Sequence, residues 1–171
     1  MTAHFPLMIP GGLPAGRKVK VTAPFDGTLI ATVDTANKAA VETALNTAYS
    51  LFNDRERHLS ASRRIEILDK TADIMAERFE ELAVEAAREG GKPQVDYRVE
   101  VARAIDGIKN CIEVLRTEHG TEIPMDKNPA SANRLAVTRL EPIGVVVAVS
   151  AFNHPLNLAV HQIGPAAVSY T

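Results

Sequence analysis

An α/β fold, with an N-terminal hairpin and helices followed by the first strand–turn–helix of a parallel sheet, is predicted by three features of the sequence. Short β-prone runs alternate with Gly and Pro near the N-terminus, and amphipathic stretches with apolar residues three and four apart come next. Last comes an unbroken β-branched run, residues 143–149, that leads through a turn into an apolar helix.

The opening, residues 5–33, is punctuated by Pro10-Gly11-Gly12, Pro14, Gly16, Pro24 and Gly27. Between these lie Lys18-Val19-Lys20-Val21-Thr22 and a second β-prone run from Thr28 to Val33. Asp26-Gly27 just before the second run is a turn signal, so hairpin-like structure is predicted.

From Asp34 the period changes. Asp34 or Thr35 is the expected cap of a helix that carries Val41, Leu45, Ala48 and Phe52 on one face. Ser60 is the expected N-cap of a second helical region, whose stripe runs from Ile65 and Leu68 through Ala72, Met75 and Phe79 to Leu82 and Ala86. Glu66 and Lys70 stand one turn apart on another face, a spacing that suits a weak surface pair. Gly90-Gly91 before Lys92-Pro93 is a stop, because Gly accepts the left-handed cap and Pro cannot continue the helix. A third helix fits Val95, Val99, Ala102, Ile105, Ile108, Ile112 and Leu115 and ends near Gly120. Each helix has a charged reverse side and must pack on a neighbour or a sheet.

A polar stretch then leads to residues 134–140, whose alternation suits an exposed or edge strand. Residues 143–149 read as a strand buried on both faces, as in a parallel sheet. The turn Ser150-Ala151-Phe152-Asn153-His154-Pro155 leaves its carboxyl end, and Pro155 sits near the start of the last helix. The expected division is a hairpin and helical part over residues 1–120, a linker and strand over 121–141, and a first βα unit over 142–171. One such unit cannot make a sheet, so the fold is expected to be incomplete.

Hydrophobic residues make up 46% and charged residues 23%, an ordinary globular composition. The 19 basic and 21 acidic residues give a net charge of -2 with no basic stripe, which disfavours nucleic acid and anionic membranes as partners. The uncharged stretch after Glu141 is interrupted by Asn153, His154, Asn157, His161 and Gln162, which makes it a poor bilayer span. No basic segment precedes the apolar residues at the start, and the single cysteine, Cys111, excludes an internal disulfide. A cytosolic setting is expected.

In open α/β sheets ligands bind at the carboxyl ends of the strands, where Ser150 to Pro155 lie. The turn contains no glycine, which excludes a GxGxxG fingerprint there. On the residues alone two uses of Asn153 stay open. Its amide can donate to a developing oxyanion, or it can satisfy backbone groups in the turn, the commoner use of Asn.

Glu141-Pro142-Ile143-Gly144-Val145-Val146-Val147, followed by Phe152-Asn153-His154-Pro155-Leu156-Asn157-Leu158, resembles the aldehyde dehydrogenase superfamily. The likeness begins at Pro24-Phe25-Asp26-Gly27 and continues through Arg63, Ile65, Leu68 and Gly91-Lys92-Pro93. The resemblance implies an N-terminal portion of an enzyme that oxidises aldehydes with NAD or NADP. In that chemistry a cysteine thiolate attacks the aldehyde, an Asn amide and a backbone N–H hold the oxyanion of the thiohemiacetal, hydride passes to the nicotinamide, and a Glu-activated water releases the acid. Asn153 matches the oxyanion Asn. Ser150, Ala151, Phe152 and Asn153 match the segment beside the cofactor in a Rossmann-like domain. The strand at 135–140 resembles part of an oligomerisation hairpin, which implies a homo-oligomer acting on a small aldehyde.

The family's nucleophilic Cys and general-base Glu lie beyond residue 171, so the chain alone is expected to be inactive. The alternative is an interaction or vestigial fragment that associates with full-length homologues. Residues 167–171 depart from the family pattern, and a truncation or frameshift is the expected reason. Cys111 shares helical spacing with Ala104, Ile108 and Leu115 and reads as a small core hydrophobe. His154 and His161 lie seven apart on one helical side, but no Cys or carboxylate is expected to join them, so a metal site is not expected. His4, His58 and His119 read as solvated. Gly91-Lys92-Pro93 ends a helix and therefore reads as a C-cap, not a phosphate loop.

Overall fold

The structure, a computed structural model, describes residues 2–10 and 16–169. Three strands open the chain: β1 (Ala3–Phe5), β2 (Arg17–Thr22) and β3 (Leu29–Thr35), in the order β1-β3-β2. β2 and β3 form the expected antiparallel hairpin, with Val19 opposite Val33. Its turn follows from Asp26-Gly27. Gly27 has φ 75, and the Asp26 carboxylate accepts the Thr28 N–H at 2.9 Å. Hydrogen bonding to Thr28 holds that carboxyl below its usual range. β1 runs parallel to β3, with His4 opposite Thr32. The Gly11, Gly12 and Pro14 punctuation lies outside the described residues.

The first helix, α1 (Lys38–Asn53), starts later than expected. Asp34 and Thr35 are the last residues of β3, and Asn37 is the cap, its side-chain oxygen accepting the Ala40 N–H at 2.9 Å. Ser60 caps α2 (Ala61–Glu77), its Oγ accepting the Arg63 N–H at 3.2 Å. The continuous stripe anticipated beyond it is broken at Arg78, where α3 (Phe79–Gly90) begins. Glu66 pairs with Arg63 at 2.6 Å, one turn before it; Lys70 makes only a small contribution. Gly91 ends α3 with φ 74, and a Cβ there would lie 2.8 Å from Pro24 Cγ, so both conformation and space require glycine.

The long helix α4 (Gln94–Thr117) is the hub. Its buried Ala104, Ile108, Ile112 and Leu115 meet Leu68, Ala72 and Met75 of α2, while Tyr97 and Val101 meet Ala83 of α3. Two strands of two residues, β4 (Glu122–Ile123) and β5 (Ala136–Val137), pair antiparallel where a longer edge strand was expected. The last helix, α5 (Pro155–Val168), has Pro155 in its first turn and lies along α4. Small residues let the two helices approach. A Cβ on Gly107 would lie 3.2 Å from Val160, and one on Gly164 would lie 2.8 Å from Cys111 Sγ.

The β-branched run before the turn differs from a strand covered on both faces. It joins no ladder among the described residues, and Val147 and Val149 are 69% and 77% exposed. A buried strand needs neighbours on both edges, and here the run borders instead an open apolar groove of about 490 Å³. Leu51, Phe52, Leu68, Val145 and Ile163 contribute to its walls. Among the described residues no helix is long and apolar enough to cross a membrane.

The α4–α5 contact gives a direct test. Gly164→Ala is expected to cost about 1–3 kcal/mol in urea unfolding, since the Cys111 sulfur occupies the space. In a Cys111→Ala background the same change should cost less than about half as much. Equal costs in the two backgrounds would contradict the packing account.

Candidate active-site turn

The turn at Ser150 to Pro155 leaves the exposed β-branched run and enters α5. Its first anchor is a side-chain amide standing in for a strand neighbour. The Val149 N–H donates to Gln162 Oε1 at 2.6 Å, and Gln162 Nε2 donates to the Val149 carbonyl at 2.8 Å. Ser150 Oγ donates to the Pro155 carbonyl at 3.1 Å, closing the turn across its width.

Its second anchor comes from the α3–α4 corner. Lys92 Nζ donates to the backbone carbonyl of Asn153 at 2.5 Å and stands 5.8 Å from the centre of the Tyr97 ring. Tyr97 is buried, and burial pushes its phenol above the usual range. A Cβ on Gly90 would lie 1.7 Å from the Tyr97 hydroxyl, which shows how tightly this corner is filled.

The third anchor is Glu100 of α4, only 3% exposed. One carboxylate oxygen accepts the backbone N–H groups of Leu156 at 2.9 Å and Asn157 at 3.1 Å, and the other lies 3.2 Å from His154 Nδ1. A carboxylate at a helix N-terminus satisfies otherwise unpaired donors and complements the helix dipole. The opposite end of α5 is treated symmetrically. Arg64 of α2 donates to the carbonyls of Ala167 at 3.0 Å and Val168 at 2.9 Å. Two first-turn amides of α5 are thus engaged by an internal carboxylate, and this helix start does not offer them to a phosphate.

The four residues singled out from sequence, Ser150, Ala151, Phe152 and Asn153, follow one another along this turn and are all exposed. The Asn153 carbonyl is engaged by Lys92, whereas its carboxamide bonds to none of the described residues. Cys111 sits apart in the α4–α5 contact, and burial pushes its thiol above the ordinary range. His154 immediately precedes α5 and faces Glu100, while His161 lies exposed within the helix. Among the described residues no three metal-ligating side chains cluster. His58 and His119 have nearby partners in the Phe52 and Thr117 carbonyls, while His4 reaches across the sheet to Thr32 Oγ1 at 3.0 Å and the Asp34 carboxylate at 3.3 Å.

Sequence reasoning missed Glu100, Arg64, Lys92 and Gln162. For the first two a signal existed. Glu100 is in phase with Tyr97, Val101 and Ala104, and Arg64 with Leu68 and Ala72, so each places a charge on a buried stripe.

The profile of the aldehyde dehydrogenase family matches residues 13–169, the turn and α5 included. The chain belongs to the aldehyde dehydrogenase family. A similar protein is the 3-sulfolactaldehyde dehydrogenase of Priestia aryabhattai, 39% identical over 137 residues, which are 80% of this chain and 27% of that protein. Among solved structures, aldehyde dehydrogenase 21 of Physcomitrella patens, in complex with the reaction product succinate, superposes with a TM-score of 0.87 at 26% identity. The match covers 99% of this chain and 36% of that one. The NADP complex of a glyceraldehyde-3-phosphate dehydrogenase from Methanocaldococcus jannaschii superposes with a TM-score of 0.81 at 32% identity, over 91% of this chain and 33% of that one. The chain therefore spans about a third or less of these family members. The aldehyde-dehydrogenase-like fold expected from sequence is the fold observed, apart from the run at 143–149, which joins no ladder among the described residues.

If Cys111 is a packing residue, iodoacetamide at pH 8 should alkylate it at least about tenfold more slowly than a free cysteine, because a raised pKa lowers the thiolate fraction. Unfolding in urea should abolish the difference. Fast alkylation of the folded chain would instead mark an activated thiol.

Proposed function

We propose that this chain supplies the oxyanion-side segment of an NAD(P)-dependent aldehyde dehydrogenase. Asn153 is the oxyanion donor, and Ser150, Ala151, Phe152 and Asn153 line the cofactor. The observation that carries the reading is the state of Asn153: its backbone carbonyl is tethered by Lys92, and its carboxamide is left on an exposed turn within the family match. A turn residue serving only its own backbone would spend that amide locally.

The exposed backbone of Ser150 to Asn153 would hold a dinucleotide, and the Leu156 and Asn157 amides, which Glu100 occupies, would not take its phosphates. NAD or NADP, when bound, accepts the hydride. This chain's own part is to offer the Asn153 amide to the aldehyde oxygen as charge develops there. The substrate is a small aldehyde. Residues 1–120 and 142–171 contribute to the cofactor-binding domain, and residues 121–141 form an oligomerisation-type strand in a cytoplasmic homo-oligomer. The chain alone is inactive, since Cys111 is packed against Gly164 and no other thiol is present. The exposure of Val147 and Val149 supports a second reading, association with full-length homologues through this edge.

A chimera tests the reading. With this chain replacing the matching segment of the Priestia aryabhattai enzyme, Asn153→Ala should lower kcat by about 10²–10³ with little change in KM. The isolated chain should form no NADH or NADPH from short aldehydes. A chimera whose kcat is indifferent to Asn153→Ala would contradict the assignment, and turnover by the isolated chain would contradict its inactivity.

A further inference from the structure

We propose that Glu100 and Lys92 are the positioning residues of the Asn153 turn, fixing the direction in which its amide is presented. Asn153 belongs to no helix or strand, so its aim depends on what holds the chain on either side. The ordinary device for starting α5 is absent: His154, at the N-cap position, makes no side-chain cap bond. Glu100, more than fifty residues earlier in the sequence, does that work from α4 by accepting the Leu156 and Asn157 N–H groups. Since Glu100 is itself 3% exposed and belongs to the hub helix, the place where α5 begins is fixed relative to the core.

Lys92 fixes the other coordinate. Its ammonium bonds to the Asn153 carbonyl and so sets the peptide plane that joins Asn153 to His154. The base of Lys92 is held in turn. It follows the left-handed Gly91, and Gly90 just before that leaves no room for a Cβ beside Tyr97. A charge-assisted bond to the peptide on one side and a carboxylate on the amides that follow leave the Asn153 Cα–Cβ direction little freedom. Both bonds come from α4 or the corner that precedes it, so one rigid body aims the turn. The significance for catalysis rests on the oxyanion reading of Asn153. The geometry does not.

The test uses the full chain, labelled with ¹⁵N and ¹³C, and needs neither cofactor nor aldehyde. Glu100→Gln keeps the shape and removes the charge. It should speed amide exchange at Leu156 and Asn157 at least about tenfold while Val101 and Ile108 change less than about twofold, as expected for loss of a bond to a charged group. Lys92→Met should leave those amides unchanged and shift the Asn153 carbonyl and side-chain amide resonances. Unchanged exchange at Leu156 and Asn157, or an increase shared equally by α4, would overturn the role of Glu100. Should Glu100→Gln fail to fold, Lys92→Met decides, and Asn153 resonances that stay in place overturn the proposal. Because no readout involves turnover, a failure here is distinct from a failure of the oxyanion assignment, which the chimera measures.

Discussion

Helix α5 is gripped at both ends by buried charges from other helices, Glu100 at its start and Arg64 at its finish. The signs are those the helix dipole requires. Burying an ion costs several kcal/mol, and each hydrogen bond to a charged group returns about 1.5–3 kcal/mol, so the two effects come close to offsetting one another. The grip therefore adds little net stability, and its consequence is position. α5 cannot slide along α4 without stranding a carboxylate or a guanidinium. Gly107 and Gly164 allow the close approach that brings the charges within reach.

The turn inherits that precision. Its carboxyl end is the gripped start of α5, its amino end is paired by Gln162, and its middle is held by Lys92. These bonds explain how a segment with no regular structure of its own is held in one place against the core. The groove beside Val145 and Val146 and the exposed run that follows belong to the same picture. A β-branched run of this kind takes neighbours on both edges in a parallel sheet, and the chain spans only part of the length of its relatives.

Local chemistry made much of the fold legible. Ser60, Gly91, Asp26-Gly27 and Pro155 act through their nearest neighbours, and each sits where its conformational preference places it. The helix cap at Asn37 was missed because Asp34 and Thr35 are equally good caps, and their capture by β3 is a tertiary effect. The break at Arg78 was hidden because the apolar stripe stays in phase across it. β1 is three residues long and carries no pattern of its own. The candidate turn was legible as a motif, but its anchors were not. Glu100, Arg64 and Lys92 reach across 54 to 104 residues of sequence, where periodicity carries no information beyond a charge in phase with a buried stripe.

Helix α5 is part of the core, with Val168, Leu156 and Val160 packed into the main apolar cluster. Native-state amide exchange along the unmodified chain measures this directly, because it separates local from global opening. Leu158 to Val168 should exchange through the same opening as Val101 to Ile112 of α4, with matching free energies. Exchange of α5 as an independent flap, with α4 and α2 still protected, would contradict the account.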